Sequence, residues 1–302
     1  MKRTITQRTI TVFFLATVFL MILMPQDVWA KKKKIDIIVF AGQSNMMGHG
    51  DAEKAPALKK NAGYAYLPVT GKGKLSPLTE PFGRDESDGY FMNFYMGENY
   101  ATGSMVTAFV NAYYSQTKTP VLAVPASMLG TGSQSWSSRR YKGVVNRTKA
   151  AKAAAKKAGY SVRHIYMVWL QGESDATAMQ READGTNESG MNADVYIKNV
   201  KSMYKKIKKQ AKTEKCFVIR IPSYYGDMKD PYGTGWNTYF KKIQKAQTRL
   251  CDENQDFVMI YSKTPSMGAG YMQEDRLHIT QQGLNRIGNA AGKNAGKYAK
   301  KN

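Results

Sequence analysis

Apolar residues gather in five short, nearly continuous runs: Ile35 to Phe40, Val121 to Pro125, His164 to Leu170, Phe217 to Pro222 and Phe257 to Tyr261. Runs of that length, with little polar alternation, mark parallel strands covered on both faces. Between them, apolar positions recur at helical spacing over Val144 to Lys157, Asp194 to Lys212, Trp236 to Asn254 and Gln281 to about Tyr298. In the last of these Leu284, Ile287, Ala291, Ala295 and Tyr298 share one face. Strand and helix alternate, so the chain reads as an α/β three-layer sandwich around a parallel sheet of about five strands. Such sheets place their sites outside the carboxyl ends of the strands. Gly48 to Asn99, rich in Gly, Pro and Tyr, is a long excursion between the first two strands that would shape one wall of a cleft; a disordered insertion is the alternative. No repeat and no Pro- or Ser-rich linker interrupts residues 31–302, which read as a single domain.

The first 30 residues follow a different pattern. Lys2, Arg3 and Arg8 precede an apolar run from Ile10 to Met24, and the segment closes on Val28-Trp29-Ala30. This is the order of a secretory signal peptide, which implies a secreted or extracellular protein beginning at Lys31. An uncleaved anchor is the rival reading, because Lys31 to Lys34 place positive charge on the side that opposes export. The remainder holds no apolar stretch near the roughly 20 residues that span a bilayer.

The whole chain of 302 residues carries a formal charge of +22, and loss of three cations and Asp27 with the leader leaves +20. A balance this basic points first to polyanionic partners. Many of the lysines, however, flank an apolar helical stripe of Val200, Met203, Tyr204, Ile207 and Ala211, as the solvated back of an amphipathic helix does. No zinc-finger spacing or aromatic nucleic-acid motif accompanies them, so dedicated nucleic-acid binding is not expected, whereas loose association with anionic cell-surface polymers is. Cys216 and Cys251 cannot build a disulfide framework; one bridge or two buried thiols are equally open readings.

Polar, turn-forming clusters follow three of the strands. The first is Gly42-Gln43-Ser44-Asn45, where a serine at the turn from a buried strand into a helix can be exposed beside free backbone N–H groups. The second, Ser127 to Trp136, holds Gly130 and Gly132, either of which could offer an N–H to an oxyanion. The third is Gln171-Gly172-Glu173-Ser174-Asp175. A serine hydrolase needs a base, and the histidines are His49, His164 and His278. His164 starts a strand, at the wrong edge of the sheet, and His49 has no obvious carboxylate partner. His278 follows Asp275 by three residues, a spacing that lets the carboxylate hold Nδ1 while Nε2 faces the serine.

Together these blocks resemble the SGNH, or GDSL-like, hydrolases over roughly residues 35 to 295, and within them the sialate O-acetylesterase and acetylxylan esterase branch, carbohydrate esterase family six. The resemblance implies a flavodoxin-like sheet and hydrolysis of O-acetyl groups on poly- or oligosaccharides without metal or organic cofactor. It implies Ser44 as nucleophile, His278 as base and Asp275 as its partner. The oxyanion would be held by the Ser44 and Gly130 N–H groups and the Gln171 amide, with Asn45 and Glu173 in support. One departure is that Leu129-Gly130-Thr131-Gly132 stands where the branch commonly has Gly-Gly-Thr-Ser. The alternatives are a sialate O-acetylesterase, an esterase of lipid acyl chains, and a glycan- or wall-binding protein without turnover on the same fold.

Overall fold

The computed structural model describes residues 32–68, 71–83, 102–186, 188–226 and 233–302. The expected signal peptide and residues 69–70 and 84–99 of the Gly48 to Asn99 excursion lie outside the described residues. Seven strands form one sheet: β1 Lys34–Gly42, β2 Gly63–Tyr66, β3 Leu75–Ser76, β4 Val121–Pro125, β5 Ser161–Leu170, β6 Lys215–Ile219 and β7 Phe257–Tyr261. Their order is β3-β2-β4-β1-β5-β6-β7, parallel except for β3 against β2. The five expected strands are the five central and far-edge ones. The two extra strands come from the excursion; at four and two residues they are too short and too polar to stand out as apolar runs. Residues Lys34–Asn302 form one unit.

Among the described residues, seven α-helices of four residues or more flank the sheet: α1 Ser44–Met47, α2 Val106–Thr117, α3 Tyr141–Lys157, α4 Glu173–Ala183, α5 Ala193–Ala211, α6 Gly233–Glu253 and α7 Gln281–Lys301. α7 packs along α2, while α3, α5 and α6 neighbour one another in sequence order. The α5 stripe read from the sequence is buried as a set, from Val200 to Ala211. α2 and α4 were not expected. α4 begins inside the polar Gln171–Asp175 cluster, and α2 carries apolar residues nearly all round, so neither shows a clean helical face in sequence. Among the described residues no helix is long and apolar enough to cross a membrane, and Cys216 and Cys251 are both free thiols.

The α2–α7 contact is close because α7 presents Gly288, Gly292 and Gly296 to it. A Cβ on Gly292 would lie 2.2 Å from the Phe109 carbonyl oxygen. Alanine in a helix is normally worth about 1 kcal/mol over glycine, yet here overpacking against backbone costs about 1–3 kcal/mol. Gly292→Ala is therefore expected to lower the urea midpoint with an unchanged slope; a raised midpoint would show that the helices move apart freely.

The strand order also explains where the chemistry falls. β4, β1 and β5 are adjacent in register, Phe40 beside Pro125 and Gly42 beside Leu170. The loops after these three strands, which carry the three polar clusters, therefore emerge side by side at one edge of the sheet.

Candidate active site

Ser44 opens α1, directly beyond the carboxyl end of β1. The turn is tight: Gly42 has φ +153°, and a Cβ there would stand 2.0 Å from the Leu170 carbonyl oxygen. Only glycine lets the strand end this close to β5 and turn at once. The Met46 and Met47 N–H groups both bond the Gln43 carbonyl, and among the described residues no acceptor takes the N–H of Ser44. An N–H without an intrahelical acceptor is what a helix start leaves.

His278 and Asp275 sit in a tight turn closed by an antiparallel bridge between Met272 and Ile279. Asp275 Oδ2 lies 2.5 Å from His278 Nδ1, and Oδ1 accepts the N–H groups of Leu277 (2.9 Å) and His278 (2.8 Å). Partial burial alone would raise the Asp275 carboxyl, but the His278 ring and these two N–H groups together hold it well below the usual carboxylate range. The carboxylate stays ionised and fixes which His278 nitrogen carries the proton.

Asn45 joins this turn to Ser44. Its Oδ1 accepts the Ile279 N–H at 3.0 Å, and its Nδ2 donates to the Leu277 carbonyl at 3.3 Å, so the residue next to Ser44 grips the backbone on both sides of His278. The second Nδ2 hydrogen goes to Glu173 Oε1 at 2.9 Å. Glu173 is 2% exposed; burial raises its pKa, opposed by the Asn45 amide. The sequence left Glu173 between bracing a loop and orienting the base. Its hydrogen-bond partner here is Asn45, while the carboxylate on His278 is Asp275.

Gln171 requires a correction. The sequence places its amide in the oxyanion hole, but the side chain is fully buried and its Nε2 faces three acceptors: the Thr131 carbonyl at 2.8 Å, Asp175 Oδ2 at 2.5 Å and Gln43 Oε1 at 3.3 Å. Two amide hydrogens are taken up by these partners, so Gln171 braces the second loop instead of pointing a donor at substrate. Asp175, absent from the candidate set, is the hub of that brace. It is wholly buried and accepts the Ser133 N–H (3.0 Å) and Ser133 Oγ (2.5 Å) besides Gln171. A carboxylate substituted for Gln171 would oppose Asp175 with no hydrogen to give. Gln171→Glu is expected to cost about 3–5 kcal/mol of stability, the scale of a stranded buried charge, measured by denaturant unfolding. An unchanged midpoint would mean that the amide does not hold Asp175.

Of the two candidate glycines, Gly130 is the exposed one. It adopts φ +57°, has nothing within 4 Å of its Cβ direction and lines a cavity of about 630 Å³ with Ser127, Trp136, Arg139 and Arg147. A Cβ on Gly132 would instead lie 3.7 Å from the Asp175 carboxylate. His164 lies at the opposite end of the sheet, near the start of β5, with Nδ1 2.8 Å from Glu214. It stands next to Arg163, which pairs with the buried Asp36; this is a structural cluster. His49, set aside in the sequence for want of a carboxylate, is stacked on His278 with ring centroids 4.0 Å apart and planes within 3°. Burial, then the neighbouring His278, brings its pKa down to about 3, with Asp275 opposing. Nothing local in the sequence announces that stack. Among the described residues, no three His, Cys, Asp or Glu side chains gather as a metal-holding group.

A mostly parallel sheet with a serine turn after β1, a glycine turn after β4 and an Asp-x-x-His turn before the last helix defines an SGNH-type hydrolase. The model of the family described as carbohydrate esterase, sialic acid-specific acetylesterase, matches residues 34–297, and the chain belongs to that family. It is a carbohydrate O-acetylesterase. No curated protein matches it by sequence. Among solved structures it is similar to a protein from Arabidopsis thaliana, 19% identical with a TM-score of 0.61 over 88% of this chain and 98% of that one. It is also similar to a catalytic variant of an acetylxylan esterase from Geobacillus stearothermophilus, 12% identical with a TM-score of 0.50 over 85% and 91%. At these identities the likeness concerns the fold.

Proposed function

We propose that this enzyme removes O-acetyl groups from acetylated poly- or oligosaccharide, of the xylan type, by serine catalysis. Ser44 Oγ attacks the acetyl carbonyl while His278 Nε2 takes its proton, and Asp275 holds the imidazolium that forms. The oxyanion rests on the N–H groups of Ser44 and Gly130. Collapse expels the sugar hydroxyl, protonated by His278, and leaves acetyl-Ser44. Water, deprotonated by the same imidazole, then releases acetate. The observation that carries this reading is the Asn45 side chain, which fastens the backbone either side of His278 to the residue after Ser44.

A second reading, an O-acetylated sialic acid as substrate, is favoured by the family's description and by Arg139, Arg140 and Arg147 on the wall of the cavity beside Gly130. Acetate release measured on acetylated xylan, on O-acetylated sialic acid and on 4-nitrophenyl esters of rising chain length decides between them. Octanoyl esters outrunning acetyl esters would overturn both. Because nucleophile and base are side chains, activity should survive EDTA. We also place the mature enzyme outside the cytoplasm with Lys31 at its N-terminus, supported by the leader pattern of Met1 to Ala30. Its basic surface suits loose attachment to anionic polymers there. An intact mass of the exported protein that still includes the leader would instead indicate an anchor.

A further inference from the structure

The proposed mechanism uses three side chains, yet a fourth side chain, an aromatic ring, lies against the base. His49 belongs to the loop that follows α1, five residues after Ser44. That loop is firmly held. The N–H of Gly50 bonds the Gly103 carbonyl at 2.9 Å and the N–H of Gly103 returns to Gly50 at 2.8 Å. The His49 carbonyl accepts from Gln273 Nε2 at 2.6 Å, and the same amide nitrogen reaches the Ile279 carbonyl at 3.2 Å. Gln273 therefore ties the backbone of His49 to the residue following His278, as Asn45 does from the other side. With both loops fastened at two points, the two imidazoles meet face to face at 4.0 Å and 3°.

We propose that His49 is a positioning residue for the esterase reaction: its ring is the flat surface that sets the plane of the His278 imidazole. The inference rests on the serine mechanism given above. Asp275 anchors His278 only at Nδ1, which leaves the ring free to roll about that hydrogen bond and to swing Nε2 out of line with Ser44. A rigid aromatic face in van der Waals contact removes that freedom. Among the described residues, the ionisable groups that face His49 include His278 and Asp275 on the stacked side and, on the cleft it lines, Asp51 and Lys54. Burial keeps His49 neutral, so the surface offered to the imidazolium of the transition state is an uncharged π face, which attracts a cation. The contact thus strengthens as the reaction proceeds, the condition for raising kcat.

The test compares two replacements of similar bulk, His49→Phe, which keeps a flat ring, and His49→Leu, which fills the space without one. Both are assayed with Ser44→Ala on acetylated xylan and 4-nitrophenyl acetate. His49→Phe should stay within about threefold of wild type in kcat. His49→Leu should lose on the order of tenfold to a hundredfold in kcat, the scale of a misplaced reacting group, with KM within about twofold. The low-field proton NMR signal of the Asp275–His278 hydrogen bond should persist in the Phe variant and broaden in the Leu variant. Equal kcat in His49→Leu and wild type overturns the proposal, as does a Phe variant no better than Leu, or a loss confined to KM, which would make His49 a substrate contact. Turnover by Ser44→Ala would overturn the serine mechanism itself, whereas an inactive Ser44→Ala beside a fully active His49→Leu removes only the role given to His49.

Discussion

Ser44→Ala is expected to lose on the order of 10⁶ in kcat, the scale seen when the nucleophile of a catalytic triad is removed. The geometry gives the reaction no second nucleophile at that position. Ser44 stands at the turn after β1, and its neighbour Asn45 grips the His278 turn. His278→Ala should fall to the same level, and the double variant no lower, because nucleophile and base act as one unit. Losses that added in the logarithm would show that they work independently. The fold should be indifferent to Ser44→Ala: the residue is 5% exposed, the change removes only an oxygen, and α1 is held by the Gln43 carbonyl and not by the serine hydroxyl. The measurement is therefore acetate release from an excess of substrate by protein whose melting temperature matches wild type. Turnover above one part in a thousand in such a sample would remove Ser44 from the mechanism.

The elements that could be read from sequence were those whose signal is local. The five apolar runs mark the central strands because a strand buried on both faces needs no polar residue. The Gly42–Asn45 and Asp275–His278 blocks carry their geometry within three or four residues. What escaped depends on distance along the chain. The Asn45 grip on Leu277 and Ile279 joins positions 232 and 234 apart, and the Gln273 bond to His49 spans 224. No pattern in either segment implies the other. Gln171 shows the same limit in a sharper form. The residue type says that an amide stands at the mouth of the sheet, but the direction of its hydrogens is decided by Thr131, Asp175 and Gln43, which the fold brings from three places. β2 and β3 were hidden for another reason. β2 is mostly buried but only four residues long, and β3 is a two-residue edge strand, so neither offers a run long enough to read.

The second large effect separates the two carboxylates near His278. Asp275→Asn should cost about 10⁴ in kcat, the scale of losing the carboxylate that sets the histidine tautomer. The asparagine oxygen can still accept the N–H groups of Leu277 and His278, so the turn survives. Its amide nitrogen, or its oxygen if flipped, can no longer stabilise an imidazolium as a charge does. Glu173→Gln should lose about tenfold or less, since Gln retains an oxygen for Asn45 and replaces a buried oxygen, Oε2, that has no hydrogen-bond partner among the described residues. The two changes should also differ in sign with pH. The Asp275 carboxyl is held below its ordinary value of 3.8, so its contribution to stability is complete above about pH 5 and fades as pH falls below 3.8 toward its folded value. The gap between wild type and Asp275→Asn should therefore narrow in acid. The Glu173 carboxyl is raised above 4.5 by burial, so wild type loses stability as pH rises through that range and beyond. Glu173→Gln should then be at least as stable as wild type at pH 7, with the difference shrinking toward pH 4. Thermal unfolding from pH 3 to pH 8, paired with kcat at pH 7, reads both signs. If Glu173→Gln were as inactive as Ser44→Ala while folded, and Asp275→Asn remained active, Glu173 would be the partner of His278 and the Asp275 contact would be a turn cap only.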